Sequence, residues 1–187
     1  MERKELVITL LIVAAMAASR LIPHAPNFTS TLAGLIFGGA VLRKGIFALF
    51  ILAGYYVSDL LINNILYAGD HIGFQWTSQS FYWIYTAMIL IFLISRMFTT
   101  QIQNPFGILA ISLSSSVLFF LMSNFGVWME KIIYVNNMQG LSACYVAALP
   151  FFSNEVAATL FFTCIFFGVY WLYGSLKNQD YRTSTAA

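Results

Sequence analysis

Six apolar runs, each 15 to 23 residues long, fill most of this 187-residue chain. They cover residues 6–22, 28–42, 46–66, 81–96, 106–128 and 155–176, and their only charged members are Arg20, Asp59, Arg96 and Glu155. A helix that crosses a hydrocarbon core of about 30 Å needs about 20 apolar residues, at ~1.5 Å rise each. Only 9% of the chain is charged and 60% is hydrophobic, whereas a soluble domain is about 25% charged. The expected fold class is therefore an all-α integral membrane protein, with six transmembrane helices in a single domain spanning 1–187. No charged or Ser/Pro-rich linker divides it.

Two stretches fit this scheme less simply. The run 28–42 has fifteen residues, roughly 22 Å of helix, and needs snorkelling by Arg43 and Lys44 to bridge the bilayer. Residues 140–152 are apolar and contain Pro150 near their end. Their length suits a re-entrant or interfacial segment ahead of the sixth span. Residues 6–18 have the length of a signal-peptide core, but cleavage after them would remove the first helix of an otherwise membrane-embedded chain. They are read as part of a span.

Lysine and arginine set the orientation. With a cytoplasmic N-terminus, Arg3, Lys4, Arg43, Lys44, Arg96, Lys177 and Arg182 fall inside, against Lys131 and Arg20 outside. Both termini are then cytoplasmic, and the loops near 23–31, 67–80 and 129–154 face outward.

An arginine inside a membrane helix calls for a partner, a cavity or a ligand. Arg20 stands at the outer end of the first run, just before Pro23, Pro26 and Asn27. Asp59 and Asn63 share a face of the third helix, one turn after Tyr55. Ser112, Ser116 and Asn124 form a stripe on the fifth, and Glu155, Thr159 and Thr163 form one on the sixth. Such stripes belong inside a bundle. The ionisable groups gather in the outer half and leave mostly hydroxyls below, which describes a pocket open to the outside rather than a channel. Arg20 is received by Asp59, by Glu155 or by a carboxylate or phosphate of a ligand held between them, and Asp59 and Glu155 are also candidate hydrogen-bonding residues for that ligand. Asn27, Asn63 and Asn124 are candidate hydrogen-bonding residues, and Trp76 and Trp128 are candidate stacking surfaces. With Trp83 they read first as an interfacial aromatic belt, and stacking of one or two of them on a flat ligand is the alternative.

The opposite face of the first helix is small. At about 100° per residue, Ala14, Ala15, Ala18 and Ser19 cluster, with Arg20 nearly opposite. A small face of this kind suits docking against another membrane helix. Gly34 and Gly38, with Gly39 beside them, invite close helix approach in the same way.

These features resemble a known family. Ala14-x-x-x-Ala18 is similar to the A-x-x-x-A motif of the substrate-binding S components of energy-coupling factor (ECF) transporters. Residues 20–29, the string Ser123-Asn124-Phe125-Gly126-Val127-Trp128, and the region from Gly140 through Pro150-Phe151-Phe152 to Asn154 resemble an uncharacterised bacterial family of transport-type proteins related to those S components. The resemblance implies an ECF S-component-like bundle in the bacterial cytoplasmic (inner) membrane. It implies partners too: a transmembrane coupling subunit, docked at Ala14 and Ala18, and cytoplasmic ATPases. The start Met1-Glu2-Arg3-Lys4 lacks the N-terminal histidine of metal-transporting members, so no metal and no cofactor are expected.

The expected function is a substrate-binding subunit for uptake of a small vitamin-like molecule. The alternative is a structural or accessory subunit of a membrane complex. No P-loop, H-E-x-x-H or G-x-S-x-G motif occurs, and His24 and His71 fall in loops, so no enzyme is expected. Cys144 and Cys164 lie in apolar stretches and form neither a disulfide framework nor a zinc site. With a net charge of +2, nothing points to nucleic acid.

Overall fold

The computed structural model describes residues 3–42, 44–69, 73–98 and 104–185, and they are all helix or loop. Arg43 and His71 lie outside them. The helices are α1 (Arg3–Leu21), α2 (Thr31–Val41), α3 (Ile46–Leu61, continued by a π-helical turn over Ile62–Leu66), α4 (Phe81–Met97), α5 (Pro105–Met129) and α6 (Met138–Thr185). Ile46–Leu66, Pro105–Met129 and Met138–Ser175 are long and apolar enough to cross a membrane. The outer surface is correspondingly apolar, with Leu11, Leu49, Phe106 and Val169 more than half exposed. Soluble monomers rarely leave so much contiguous apolar surface uncovered.

The centre of the bundle is α2. Every residue from Thr31 to Ala40 is buried, and α2 packs against all five other helices. A helix that is apolar all round is one enclosed all round. At 11 residues it is about 16 Å long. Its flanks are protein, so it has no lipid thickness to match. Burial accommodates the short run, and the helix begins at Thr31 instead of Phe28.

Glycine permits this enclosure. A Cβ on Gly34 would stand 2.9 Å from Ile12 Cγ2, and one on Gly38 would stand 2.7 Å from Ile51 Cδ1. A Cβ on Gly39 would collide with the backbone carbonyl of Phe92 on α4. The G-x-x-x-G pair thus faces α1 and α3, and Gly39 faces α4.

The sequence expectation of a separate segment at 140–152 is corrected. Residues 138–185 form one helix of 48 residues, with Pro150 inside it. Proline removes one backbone hydrogen bond, yet the helix on its N-terminal side is held by α5. Tyr145 Oη–H donates to the Leu121 carbonyl at 2.7 Å, Cys144 Sγ–H donates to the Asn124 carbonyl at 3.4 Å, and the Phe120 and Phe152 rings lie 4.5 Å apart. Between α5 and α6 the expected polar stripes do turn inward. Ser112, Ser115, Ser116, Glu155, Thr159 and Thr163 are all buried.

Gly39→Ala must push the α4 backbone, and overpacking of this kind costs about 1–3 kcal/mol. Gly168→Ala meets nothing within 4 Å and removes a helix-interior glycine. Thermal melts in detergent should show a lowered Tm for the first variant and an unchanged or raised Tm for the second. Equal Tm values would contradict the packing described for α2.

Candidate functional site

The cavity lies at the bundle end where α1, α3 and α5 finish and α2, α4 and α6 begin or continue. The α1–α2 connection builds one wall. Pro23 and Pro26 stop α1, and Asn27 adopts a left-handed conformation with φ of 63°, which asparagine tolerates better than most residues. Asn154 on α6 donates its side-chain N–H to the Pro26 carbonyl at 3.0 Å. Phe28 sits 6.1 and 5.9 Å from the rings of Phe161 and Phe162. At the foot of the loop, the Ser30 N–H donates to Ser19 Oγ at 3.0 Å. Ser19 therefore turns toward α2, which narrows the small outer face of α1: Ala14 and Ala18 are exposed, Ala15 and Ser19 only partly so.

The far wall comes from the end of α3. There the π-helical turn brings Ile62, Leu66 and Tyr67 to the cavity. π-Turns widen a helix locally and recur at functional sites. The loop that follows is clamped by Asn64, whose side-chain amide donates to the Gln75 carbonyl at 2.8 Å and accepts the Gln75 N–H at 2.8 Å.

The main cavity has a volume of about 520 Å³. Its wall includes Arg20, His24, Asn27, Thr31, Leu32, Tyr55, Phe119 and Glu155. A smaller lobe of about 230 Å³ shares Asn27, Tyr55, Phe119 and Glu155 with it, and reaches Gln79, Ser80, Ser123, Asn124 and Phe152. The rim residues Pro23, His24, Pro26 and Asn27 are exposed, whereas Tyr55, Asp59 and Glu155 are buried.

Asp59 receives Arg20. Arg20 Nη2–H donates to Asp59 Oδ1 at 2.7 Å, with the two side chains 12% and 8% exposed. The guanidinium carbon lies 3.9 Å from the centre of the Tyr55 ring, a cation–π contact. Tyr55 meets Tyr85 edge-on at 5.7 Å, and Tyr85 lies 4.3 Å from Phe81. The arginine thus rests on an aromatic ladder that joins α1, α3 and α4.

Glu155 has no such partner. It is 6% exposed, and its Oε1 is buried without a hydrogen bond. One turn further along α6, the buried Thr159 hydroxyl also lacks a partner, as does the Ser116 hydroxyl on α5. Lower still, Ser112 Oγ lies 3.4 Å from Thr163 Oγ1. Among the described residues, His, Cys, Asp and Glu form no group of three that could hold a metal ion.

The residues expected from the sequence divide into two groups. Arg20, Asn27, Asn124 and Glu155 line the cavity, and Asp59 supports Arg20 from behind. Asn124 also donates to the Phe120 carbonyl at 2.8 Å. Asn63 lies in the π-helical turn, half-buried and outside both linings. The two tryptophans are also elsewhere. Trp76 is 67% exposed and packs on Phe74 at 4.7 Å. Trp128 donates its indole N–H to the Val135 carbonyl at 3.2 Å and meets Phe125. The aromatic surfaces of the cavity are Tyr55, Tyr67, Phe119, Phe120, Phe151 and Phe152. Of these, Tyr55 carries a sequence signal one turn before Asp59, and Phe151 and Phe152 belong to the string that leads to Asn154. His24, which reads as an ordinary loop residue, lines the cavity too. Its Nδ1 lies 2.6 Å from the Ile22 carbonyl, which can only accept, so Nε2 is the nitrogen left for other contacts.

A family model described as a family of unknown function, DUF6580, matches residues 1–182. The chain belongs to this family. No curated protein and no solved structure matches it. DUF6580 membership therefore carries no activity with it, and the cavity itself is the ground for a functional reading.

Removing one member of a buried ion pair strands the other, at about 3–5 kcal/mol, whereas an apolar replacement of both is far milder. Asp59→Asn should lower the Tm in detergent strongly. The double variant Arg20→Met with Asp59→Leu should melt closer to wild type than either single variant. A double variant that melts as low as the worse single variant would contradict the pairing.

Proposed function

We propose that this chain is the substrate-binding membrane subunit of an uptake system for a small, vitamin-like molecule. The observation that carries the reading is the two-lobed cavity with buried ionisable side chains at a single end of the bundle. Its volume of about 520 Å³ falls within the usual range of small-molecule sites, roughly 300–1,000 Å³. Its lining has the usual character, mostly apolar and aromatic with a few convergent polar groups. Below Glu155 the α5–α6 interface carries hydroxyls alone, which suits a closed-bottomed receptor better than a pore.

On this reading the six helices cross the bacterial inner membrane and the cavity opens outward. Lys44 and Arg96, at the other end of the bundle, then face the cytoplasm, in keeping with the positive-inside rule. Both termini are cytoplasmic as well. The chain has no nucleotide-binding loop, so energy comes from separate ATPases through a coupling subunit. The bundle is of the ECF S-component kind, with the exposed Ala14 and Ala18 as its docking face.

That exposed alanine face also favours a second reading, an accessory subunit of a membrane complex. A docking scaffold, however, has no need of a buried carboxyl beside a cavity, so the binding reading accounts for more of the molecule.

The two readings separate by experiment. Under the first, Ala14→Leu and Ala18→Leu abolish uptake in cells while the purified variants are still stabilised by the compound that stabilises wild type in a screen of vitamins and related heterocycles. Under the second, nothing in the screen stabilises the folded wild-type protein, and it co-purifies with an assembly that lacks ATPases.

A further inference from the structure

We infer that the cavity selects an organic cation, an aromatic or heterocyclic amine whose protonated nitrogen lies against Glu155. The inference rests on the binding reading above and adds the class of ligand. It starts from charge. Besides His24 on the exposed rim, the cavity has three charge-bearing side chains in or behind its wall, and two of them are paired with each other. Arg20 and Asp59 are paired at 2.7 Å through Nη2, and the guanidinium carbon lies 3.9 Å from the Tyr55 ring centre, although Arg20 Nε–H is buried without a partner. Glu155 is the member left over. It is 6% exposed and borders both lobes, and its Oε1 is buried without a hydrogen-bond partner. Buried charge-bearing groups are ordinarily paired or hydrogen-bonded. The missing partner of a carboxyl is a donor, and the strongest donor for a carboxylate is a cation.

Size and lining decide what kind of cation. A metal or alkali ion needs only a small shell of oxygens. Here the carboxyl borders a space of about 520 Å³ with a further 230 Å³ beside it. Phe119, Phe120, Phe152 and Tyr55 are among the residues that line that smaller space. Aromatic walls beside one acidic group are the combination that holds a flat organic cation, by stacking and by cation–π attraction. The first turn of α2 contributes Thr31 and Leu32 to the wall, and its dipole favours an anion. The guanidinium that would reinforce that preference is already neutralised by Asp59, and this leaves Glu155 to decide.

Matched probes test the sign of the charge with the ring held constant. The full chain in detergent is titrated with tryptamine, 3-methylindole and indole-3-propionate, and Tm and binding heat are read. Tryptamine should stabilise wild type, with 3-methylindole and indole-3-propionate at least tenfold weaker. Glu155→Gln, which keeps the shape of the side chain, should weaken tryptamine at least tenfold. Glu155→Asp should restore part of the binding and so exclude simple misfolding. Indole-3-propionate binding that is lost in Arg20→Gln would overturn the cation assignment and leave the binding reading standing. Stabilisation by sodium chloride over choline chloride, with no effect of tryptamine, would also overturn it in favour of an inorganic ion. A folded protein that responds to none of these probes, nor to any compound in the wider screen, would overturn both.

Discussion

An eleven-residue helix reaches about 16 Å, roughly half the thickness of a bilayer's hydrocarbon core. In lipid it would leave unmatched backbone at one end. The bundle resolves this by wrapping α2 in the other five helices, so that its neighbours supply every contact. The solution demands close approach on several sides at once. That is why Gly34, Gly38 and Gly39 point at α1, α3 and α4 in turn. It also leaves a space. The longer helices continue past the first turn of α2, and Thr31 and Leu32 become part of the cavity wall. The cavity is thus a consequence of the short central helix.

The polar chemistry follows from the same arrangement. Side chains that border the space above α2 escape lipid, and Arg20, Asp59 and Glu155 can be kept there. Arg20 and Asp59 close on each other across α1 and α3, with Tyr55 beneath the guanidinium. This pair ties two helices together at the cavity end. The α1–α2 loop is fixed to α6 through Asn154 and Phe28. The wall is therefore tied to neighbouring elements. Pre-organisation of this kind lowers the ordering cost of binding.

Much of this is written in local sequence pattern, and some of it is not. Stripes of serine, threonine, aspartate and glutamate at spacings of four point inward because hydroxyls and carboxyls in lipid lack partners. The alignment of Ser112, Ser116, Thr159 and Thr163 followed from that. Asp59 was one of two acceptors open to Arg20, since both carboxyls lie at the right depth. Only the packing of α1 on α3 decides between them. The enclosure of α2 left a weaker trace, an apolar run with glycines and no polar face. Pro150 misled because its broken hydrogen bond is offset by contacts to α5 that no local rule contains. Trp76 and Trp128 lie outside both cavity linings. Residue type marks a tryptophan as a stacking surface, but nothing local says what it stacks on. Phe119 and Phe120 of the cavity wall carry no distinguishing signal, since eighteen phenylalanines are scattered through the chain.

The central proposal is that the cavity opens at the outer end of a membrane bundle, with Lys44 and Arg96 at the cytoplasmic end. Cysteine labelling in intact cells tests it directly. In a Cys144→Ala, Cys164→Ala background, Asn27→Cys should react with a membrane-impermeant maleimide added outside. Lys44→Cys should react only after the cells are permeabilised. Labelling of Lys44→Cys from outside, with Asn27→Cys protected until permeabilisation, would invert the bundle and contradict the account.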